Sequence, residues 1–358
     1  MVNNIRTNVI VNIVRTIVLT FLSFITFPWV CRFLGESAVG TYTWCNTFVA
    51  YFLILAKIGI PNLAVRECVK VRDDKEMLSK TFWSIYLFQL LMGIFMLVIY
   101  IVYALFISNY KVHALIEILF ILSAIFDINW FFFGMEEFKK TITRNTFVKV
   151  GNLLLILLLV KSVNDLWKYT LIMAGMTCLS QLIMWGFLRK KIDFVKVSIK
   201  DITKHIKPNL ILFIPVIAVS LYKIMDKVML GSMMNVTEVG FYENAEKIIN
   251  IPMTIITALG TVMLPRISNI IAKGDMVRIK EYISKSTKFV SFLSFAMCVG
   301  LICIGYNFAP LYFGESFNKT GILIMMLATT MPFIAFANVL RTQYLIPKEI
   351  NFTSILLI

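Results

Sequence analysis

Ten apolar runs, each near the length needed to cross a bilayer, constrain this chain more than any other feature. They lie near residues 9–31, 41–63, 81–107, 114–133, 146–163, 169–188, 210–232, 241–264, 289–310 and 320–340, and an eleventh begins around 350. A bilayer core takes about 20 apolar residues as a helix, or about 10 alternating ones as a barrel strand. Lipid offers no partner to a backbone N–H or C=O, so continuous runs of this length have to be helices. The expected fold is an all-α polytopic membrane protein with about ten transmembrane helices and an incomplete eleventh. Composition agrees: 59% of residues are hydrophobic and 15% charged, against about 45–50% and about 25% for a soluble domain.

Orientation follows from where Lys and Arg fall. With Arg6 inside, the loops expected on that side carry 24 of the 35 basic residues, and the alternate loops carry five: Arg32, Lys111, Lys161, Lys168 and Lys319. That alternation predicts a cytoplasmic N-terminus. It also accounts for the formal net charge of +15 without nucleic acid: the basic loops set topology and meet anionic lipid headgroups.

One pattern occurs twice. Leu34-Gly35 leads to Gly40-Thr41-Tyr42 and then to Arg66; Leu230-Gly231 leads to Gly240-Phe241-Tyr242 and then to Arg266. Each Gly-to-Arg interval is 26 residues, so the copies share a phase. Between them lies the polar stretch Arg189–Asn209, either an amphipathic helix on the inner leaflet or a solvated linker. The expected organisation is a six-helix lobe over 1–188, a basic cytoplasmic linker over 189–209, and a second lobe over 210–358 with four helices and the start of a fifth. Six helices is an even number, so the lobes are parallel repeats about an axis along the membrane normal. Prolines 28, 61, 215, 252, 265, 310 and 332 fall within or at the ends of spans, as hinges or as fixed kinks.

No enzymatic constellation is present. The six cysteines are scattered without a C-x-x-C pair and read as small buried apolar residues. His113 and His205 sit in loops of opposite sidedness and cannot share a metal. No Walker loop, GxGxxG or HExxH occurs, so no cofactor or metal is expected.

Ionisable residues within the spans therefore carry the functional reading, since each costs at least ~2.5–3.5 kcal/mol at mid-bilayer unless it faces water or a partner. Lys57 and Lys149 lie near the cytoplasmic ends of their helices, where they snorkel or line an inner mouth. Arg15 is about two turns into the first helix. Asp127, beside Asn129 and Trp130, is a mid-membrane carboxylate, read as a proton or sodium coupling site or as a structural hydrogen-bonding group. Lys223, Asp226 and Lys227 share one helix face, and Glu243 and Lys247 lie one turn apart on the next helix. These charges form either a salt-bridge network or a cationic cavity wall suited to a diphosphate.

Six blocks carry a family likeness. RFLGESAVGTYTW, KIGIPNLAVRECVKVRDDKEMLSK, DINWFFFGMEEFKKTITRN, DKVMLGSMMNVTEVGFYENAEKIINIP, VMLPRISN and TQYLIPKE occur in order from residue 32 to 349. They resemble the bacterial polysaccharide and O-antigen repeat-unit flippases, in the superfamily of multidrug-and-toxin extruders and the lipid II flippase. The resemblance implies a MATE-like fold of two helical lobes around a cationic cavity in the bacterial cytoplasmic membrane. It implies alternating-access transfer of an undecaprenyl-diphosphate-linked oligosaccharide for capsule, O-antigen or exopolysaccharide synthesis, driven by an ion gradient. Arg15, Lys57, Lys149, Lys223, Asp226, Lys227 and Lys247 are then the substrate-binding set and Asp127 the ion-coupling residue. Partners would be the lipid-linked glycan, membrane lipids, and polysaccharide polymerase and export proteins. Members of that family have twelve to fourteen helices, so a C-terminally truncated second lobe is expected. A cation extruder of the same superfamily would favour acidic cavity residues, whereas bases predominate here. A membrane polymerase or glycosyltransferase would need a long polar loop or an acidic metal motif, and neither is present.

Overall fold

The structure, a computed structural model, describes residues 2–189, 191–272 and 275–347, with side chains from residue 22 onward except at 23, 215, 261, 262, 265 and 272. Every regular element among them is helical. In order these are α1 (Val2–Lys57), α2 (Ile60–Lys70), α3 (Lys75–Val102), α4 (Lys111–Ile125), α5 (Asn129–Gly134), α6 (Phe138–Leu159), α7 (Leu166–Leu188), α8 (Ile199–Thr203), α9 (Ile206–Met233), α10 (Val236–Ala272), α11 (Met276–Phe313), α12 (Asn318–Ala328) and α13 (Met331–Leu340). One-turn π-helices extend α3 over Tyr103–Ile107 and α13 over Arg341–Leu345.

Each of the ten apolar runs falls within these helices and their one-turn extensions and joints; the run beginning around 350 lies outside the described residues. By length and composition, six described helices can cross a membrane, or up to eight if each bent pair is one span. The number is below ten partly because one helix carries two runs: α1 passes through Gly35 at φ 77°, ψ 172°. The pair Glu315–Ala328 and Met331–Leu345 is bent by 43°, with Pro332 in the first turn of α13. Leu91, Phe95, Val98 and Phe106 stand exposed along α3 and its extension. In water such a stripe would be costly, at about 25 cal/mol per Å² of apolar surface; facing lipid it costs nothing. This is a multi-span membrane protein.

The chain forms two compact units, Met1–Gly240 and Phe241–Ile358. The first is held by an aromatic cluster that joins α3, α5 and α7. Phe82 packs on Trp130 at 5.2 Å and on Phe131 at 5.4 Å between ring centroids, and Tyr86 on Trp185 at 4.7 Å. Such pairs are worth about 0.5–1.5 kcal/mol each beyond area burial. The basic stretch after α7 lies along α3: Trp83 donates to the Asp193 carbonyl at 3.0 Å, Lys75 pairs with Asp193 at 2.7 Å, and Ser84 meets His205 at 2.9 Å. In the second unit α11 packs on α12 and α13, and Phe317 joins the rings of Phe241 and Phe313, each at 5.8 Å.

The repeated glycines have a packing reason. Within the first unit α1 and the start of α10 meet backbone to backbone: a Cβ on Gly40 would overlap the Val236 carbonyl, and one on Gly240 would lie 2.9 Å from the Gly40 Cα. Small residues at a helix contact allow the close approach that gives van der Waals attraction inside a bilayer. Gly40→Val is therefore expected to lower the melting temperature in detergent. Gly186→Ala, whose Cβ would meet nothing within 4 Å, should be neutral or stabilising by about 0.5–1 kcal/mol from helix propensity. Melting followed by intrinsic fluorescence separates the two.

Candidate functional site

Two chain breaks build a polar, largely buried network in the first unit. The first follows Lys57, the last residue of α1. Ile58 and Gly59 take positive φ, 35° and 77°, and Pro61 opens α2. Gly supplies the left-handed turn, and Pro is preorganised for a first helical turn. The start of α9 presses on this turn, since a Cβ on Gly59 would lie 3.1 Å from both the backbone and side-chain oxygens of Asn209.

The second break separates α4 from α5 at Phe126–Ile128. A broken helix inside a membrane releases carbonyls that must be satisfied by protein. Gln89 Nε2 donates to the carbonyls of Ala124, Ile125 and Asp127 at 2.8, 3.1 and 2.9 Å. Trp185 Nε1 donates to Phe126 O at 3.0 Å, and Trp130 Nε1 holds Gln89 through its Oε1 at 2.9 Å.

Asp127 occupies that break and is not alone. Its Oδ2 accepts from Lys57 Nζ at 2.7 Å; its Oδ1 accepts from the Asn129 backbone N–H at 3.0 Å and from Asn129 Nδ2 at 2.6 Å. Asn129 continues the network: Arg144 Nη1 donates to Asn129 Oδ1 at 2.8 Å and to Gln181 Oε1 at 3.0 Å. The other guanidinium nitrogens, Nε and Nη2, donate to Asn145 Oδ1 at 3.2 and 2.6 Å. Among the described residues no carboxylate lies within ion-pair distance of Arg144, which is only 7% exposed. Two cations thus stand against one carboxylate. The Lys57 side chain keeps 39% of its surface exposed.

The remaining expected residues lie elsewhere. Arg15 belongs to α1, and its side chain lies outside the described residues. Lys149 is exposed on α6. Lys223 is exposed and Asp226 and Lys227 are half-buried, all three on α9. Lys247, in the second unit, pairs with Glu243 one turn back at 3.4 Å. The eight expected residues therefore contribute Lys57 and Asp127 to the network. Arg144, Gln89 and Gln181 give no signal in the sequence: Arg144 reads as one more loop charge, and an amide inside an apolar run carries no charge. Among the described residues no group of three or more His, Cys, Asp or Glu could hold a metal ion.

Residues 5–271 match the model of the polysaccharide biosynthesis protein family. The chain belongs to this family. Relatives named as O-antigen transporters occur in Escherichia coli (strain K12), 22% identical over 91% of this chain and 79% of that protein, and in Shigella dysenteriae, 19% identical over 91% and 82%. Among solved structures the fold is similar to the lipid II flippase MurJ in an inward closed conformation, with a TM-score of 0.74 and 16% identity over 95% of this chain and 76% of that one. It is also similar to the MATE multidrug transporter DinF-BH in complex with R6G, with a TM-score of 0.57 and 17% identity over 96% and 83%. These proteins are named as transporters or flippases, none as an enzyme. In this family member, both residues that bring charge to Asn129, Asp127 and Arg144, fall within the DINWFFFGMEEFKKTITRN block.

The turn that follows α5 carries a further set of ion pairs. Glu136 takes a positive φ of 58° and pairs with Arg72 at 3.0 Å. Glu137 accepts from Lys191 and forms an ion pair with Lys140 at 2.9 Å. Burial alone would raise the Glu137 carboxyl, but these two ammonium groups outweigh it and hold it below the usual carboxylate range. A folded-state value below the unfolded one stabilises the protein above the unfolded value and ceases to do so as pH falls through the folded one. Glu137→Gln should therefore melt lower than the natural chain at neutral pH, with the gap closing on acidification below the carboxylate range. Gln89→Leu removes the side-chain donor of three carbonyls, leaving those of Ile125 and Asp127 without it and only Ala124 with a backbone donor, and it removes the acceptor of one indole N–H. It should cost stability at every pH, by about 1–3 kcal/mol or more, read in the same melts.

Proposed function

We propose that this protein is a flippase that carries undecaprenyl-diphosphate-linked oligosaccharide repeat units across the bacterial cytoplasmic membrane by alternating access. It serves capsule, O-antigen or exopolysaccharide synthesis and is a transporter, not an enzyme. The observation that carries the reading is the excess of buried cation at the α4–α5 break, within a chain of the polysaccharide biosynthesis family. The names of the transporter relatives and of the flippase with a similar fold support it.

In this reading the N-terminus is cytoplasmic, and the chain is organised as parallel lobes over 1–188 and 210–358 joined by the basic segment 189–209. The break then lies toward the inner leaflet, where a lipid diphosphate would be loaded. A diphosphate competes with Asp127 for Lys57, and charge-assisted bonds of this kind are worth about 1.5–3 kcal/mol each. Arg144 already spends its donors on amide oxygens, so a phosphate replaces neutral acceptors by a charged one. Asp127, released from Lys57, becomes the carboxylate that a coupling cation occupies. Arg15, Lys149, Lys223, Lys227 and Lys247 extend the cationic path and Asp226 moderates it. The lipid tail stays in the bilayer, so only the headgroup needs a polar route. Polymerase and export proteins would take the product on the far side.

The test is restoration of surface polysaccharide in a bacterium lacking its own flippase for a matching repeat unit, with Lys57→Glu and Arg144→Gln compared at equal membrane abundance. Restoration by the natural chain, lost in both variants, is the expected result. Full restoration by both variants would overturn the assignment of the site. Failure of the natural chain with a matching sugar would overturn the flippase reading.

A further inference from the structure

Glu117 lies in the middle of α4, within an apolar run, and its surface exposure is 0%. The Tyr100 hydroxyl donates to its Oε2 at 3.5 Å, the limit of a hydrogen bond, and its Oε1 makes none. One turn back on the same helix, His113 Nε2 is also buried without a hydrogen-bond partner. Residues four apart on a helix are neighbours, about 5–6 Å between Cβ atoms. Two proton-accepting atoms without partners thus lie one turn apart, not hydrogen-bonded to each other, and His113 is two residues from the Lys111 end of α4.

The surroundings explain why a carboxylate there is not simply an ion pair. From α1, Cys45 lies beside Glu117, and the Asn46 side chain acts on it as a hydrogen-bonding neighbour. From α3 comes Tyr100 and from its π-helical extension Tyr103. The third neighbour, α7, carries Lys168, paired with Asp165 at 2.6 Å, Tyr169, which meets the Tyr42 ring at 4.7 Å, and Cys178. Lys111 and His113 are the remaining ionisable groups on α4 itself before Glu117. Among the described residues no cation reaches the carboxyl within ion-pair distance. Val49, Ala104, Ala114 and Ile121 complete an apolar cluster around Tyr100. An isolated ionised carboxylate in such a place costs many kcal/mol and takes up a proton instead.

We propose that Glu117 and His113 form a proton-exchange site in the first unit, with Glu117 as the group that binds and releases the proton. When a change of rotamer brings the two side chains into contact, Glu117 as COOH gives up its proton to His113 Nε2 and becomes a carboxylate; the imidazolium passes a proton to water at the Lys111 end of α4, and loading runs in reverse. The site is separate from Asp127, whose charge is met by Lys57. That the proton drives transport rests on the flippase reading, whereas binding of the proton is testable without any transport.

The experiment is infrared difference spectroscopy of the purified full chain in phospholipid nanodiscs across a pH series. The expected result is a carbonyl stretch of a protonated carboxylic acid at neutral pH that Glu117→Gln removes and Glu137→Gln leaves. His113→Leu should keep the band and slow its exchange into deuterium oxide several-fold. No such band at neutral pH, or a band unaffected by Glu117→Gln in protein with native circular dichroism, would overturn the site. An exchange rate unchanged in His113→Leu would overturn the relay. Should Glu117→Gln fail to accumulate, Tyr100→Phe decides the matter: a shifted stretch supports the assignment and an unmoved one overturns it. Loss of polysaccharide restoration alone leaves this result standing, and its loss leaves the flippase reading standing.

Discussion

Gln89 is the keystone of the first unit because a single amide closes the backbone account of a broken helix. The carbonyls of Ala124, Ile125 and Asp127 converge on its Nε2. Without that donor the break would leave the buried carbonyls of Ile125 and Asp127 short of a partner, which favours re-forming the helix through residue 127. Re-forming it would withdraw Asp127 from Lys57 and Asn129 from Arg144. The polar network therefore exists because the helix is broken, and the helix stays broken because Gln89, Trp185 and Trp130 hold it. The aromatic cluster of Phe82, Tyr86, Trp130 and Trp185 fixes these donors in turn, so apolar packing and polar satisfaction are one structure here.

Fold class was legible because lipid leaves so few options: long apolar runs have to be helices, and all ten runs lie among helical elements. The repeat was legible as sequence phase, and its cause shows only in space, where Gly40 and Gly240 touch. Lys57 and Asp127 stood out singly as charges in apolar runs. Their pairing across 70 residues was not readable, since it depends on two breaks that place a helix end opposite a helix gap. Arg144 was hidden by its neighbours Lys139 and Lys140, with which it forms an ordinary basic stretch. Glu117 was hidden for the opposite reason: one carboxyl in a run of Leu and Ile barely lowers the mean hydropathy.

Asp127 and Glu117 lie on one helical span and have opposite environments. The first meets an ammonium, a backbone N–H and an amide, all donors, and its charge is matched. The second meets a phenol at the limit of hydrogen bonding and has one oxygen without a partner. Matched charge favours exchange of ionic partners, as when a phosphate displaces a carboxylate from a lysine. Unmatched burial favours exchange of the proton itself. Where two carboxyl groups of one helical span are held in environments this different, their roles separate by environment and not by residue type.

Arg144 deserves comparison with Lys57 on the same terms. A guanidinium held by amide oxygens keeps its full charge while its planar fork is fixed in direction. A lysine held by one carboxylate is neutralised as a pair and stays mobile on its stem. An anion arriving at the break therefore meets a fixed cation that needs no release and a movable one that does. Removal of the arginine would weaken attraction without changing the competition for Lys57. Removal of Asp127 would abolish the competition and leave both cations unopposed, so the anion would be held and not let go. A transporter has to release what it binds, and on this argument the carboxylate matters as much as the two cations it offsets.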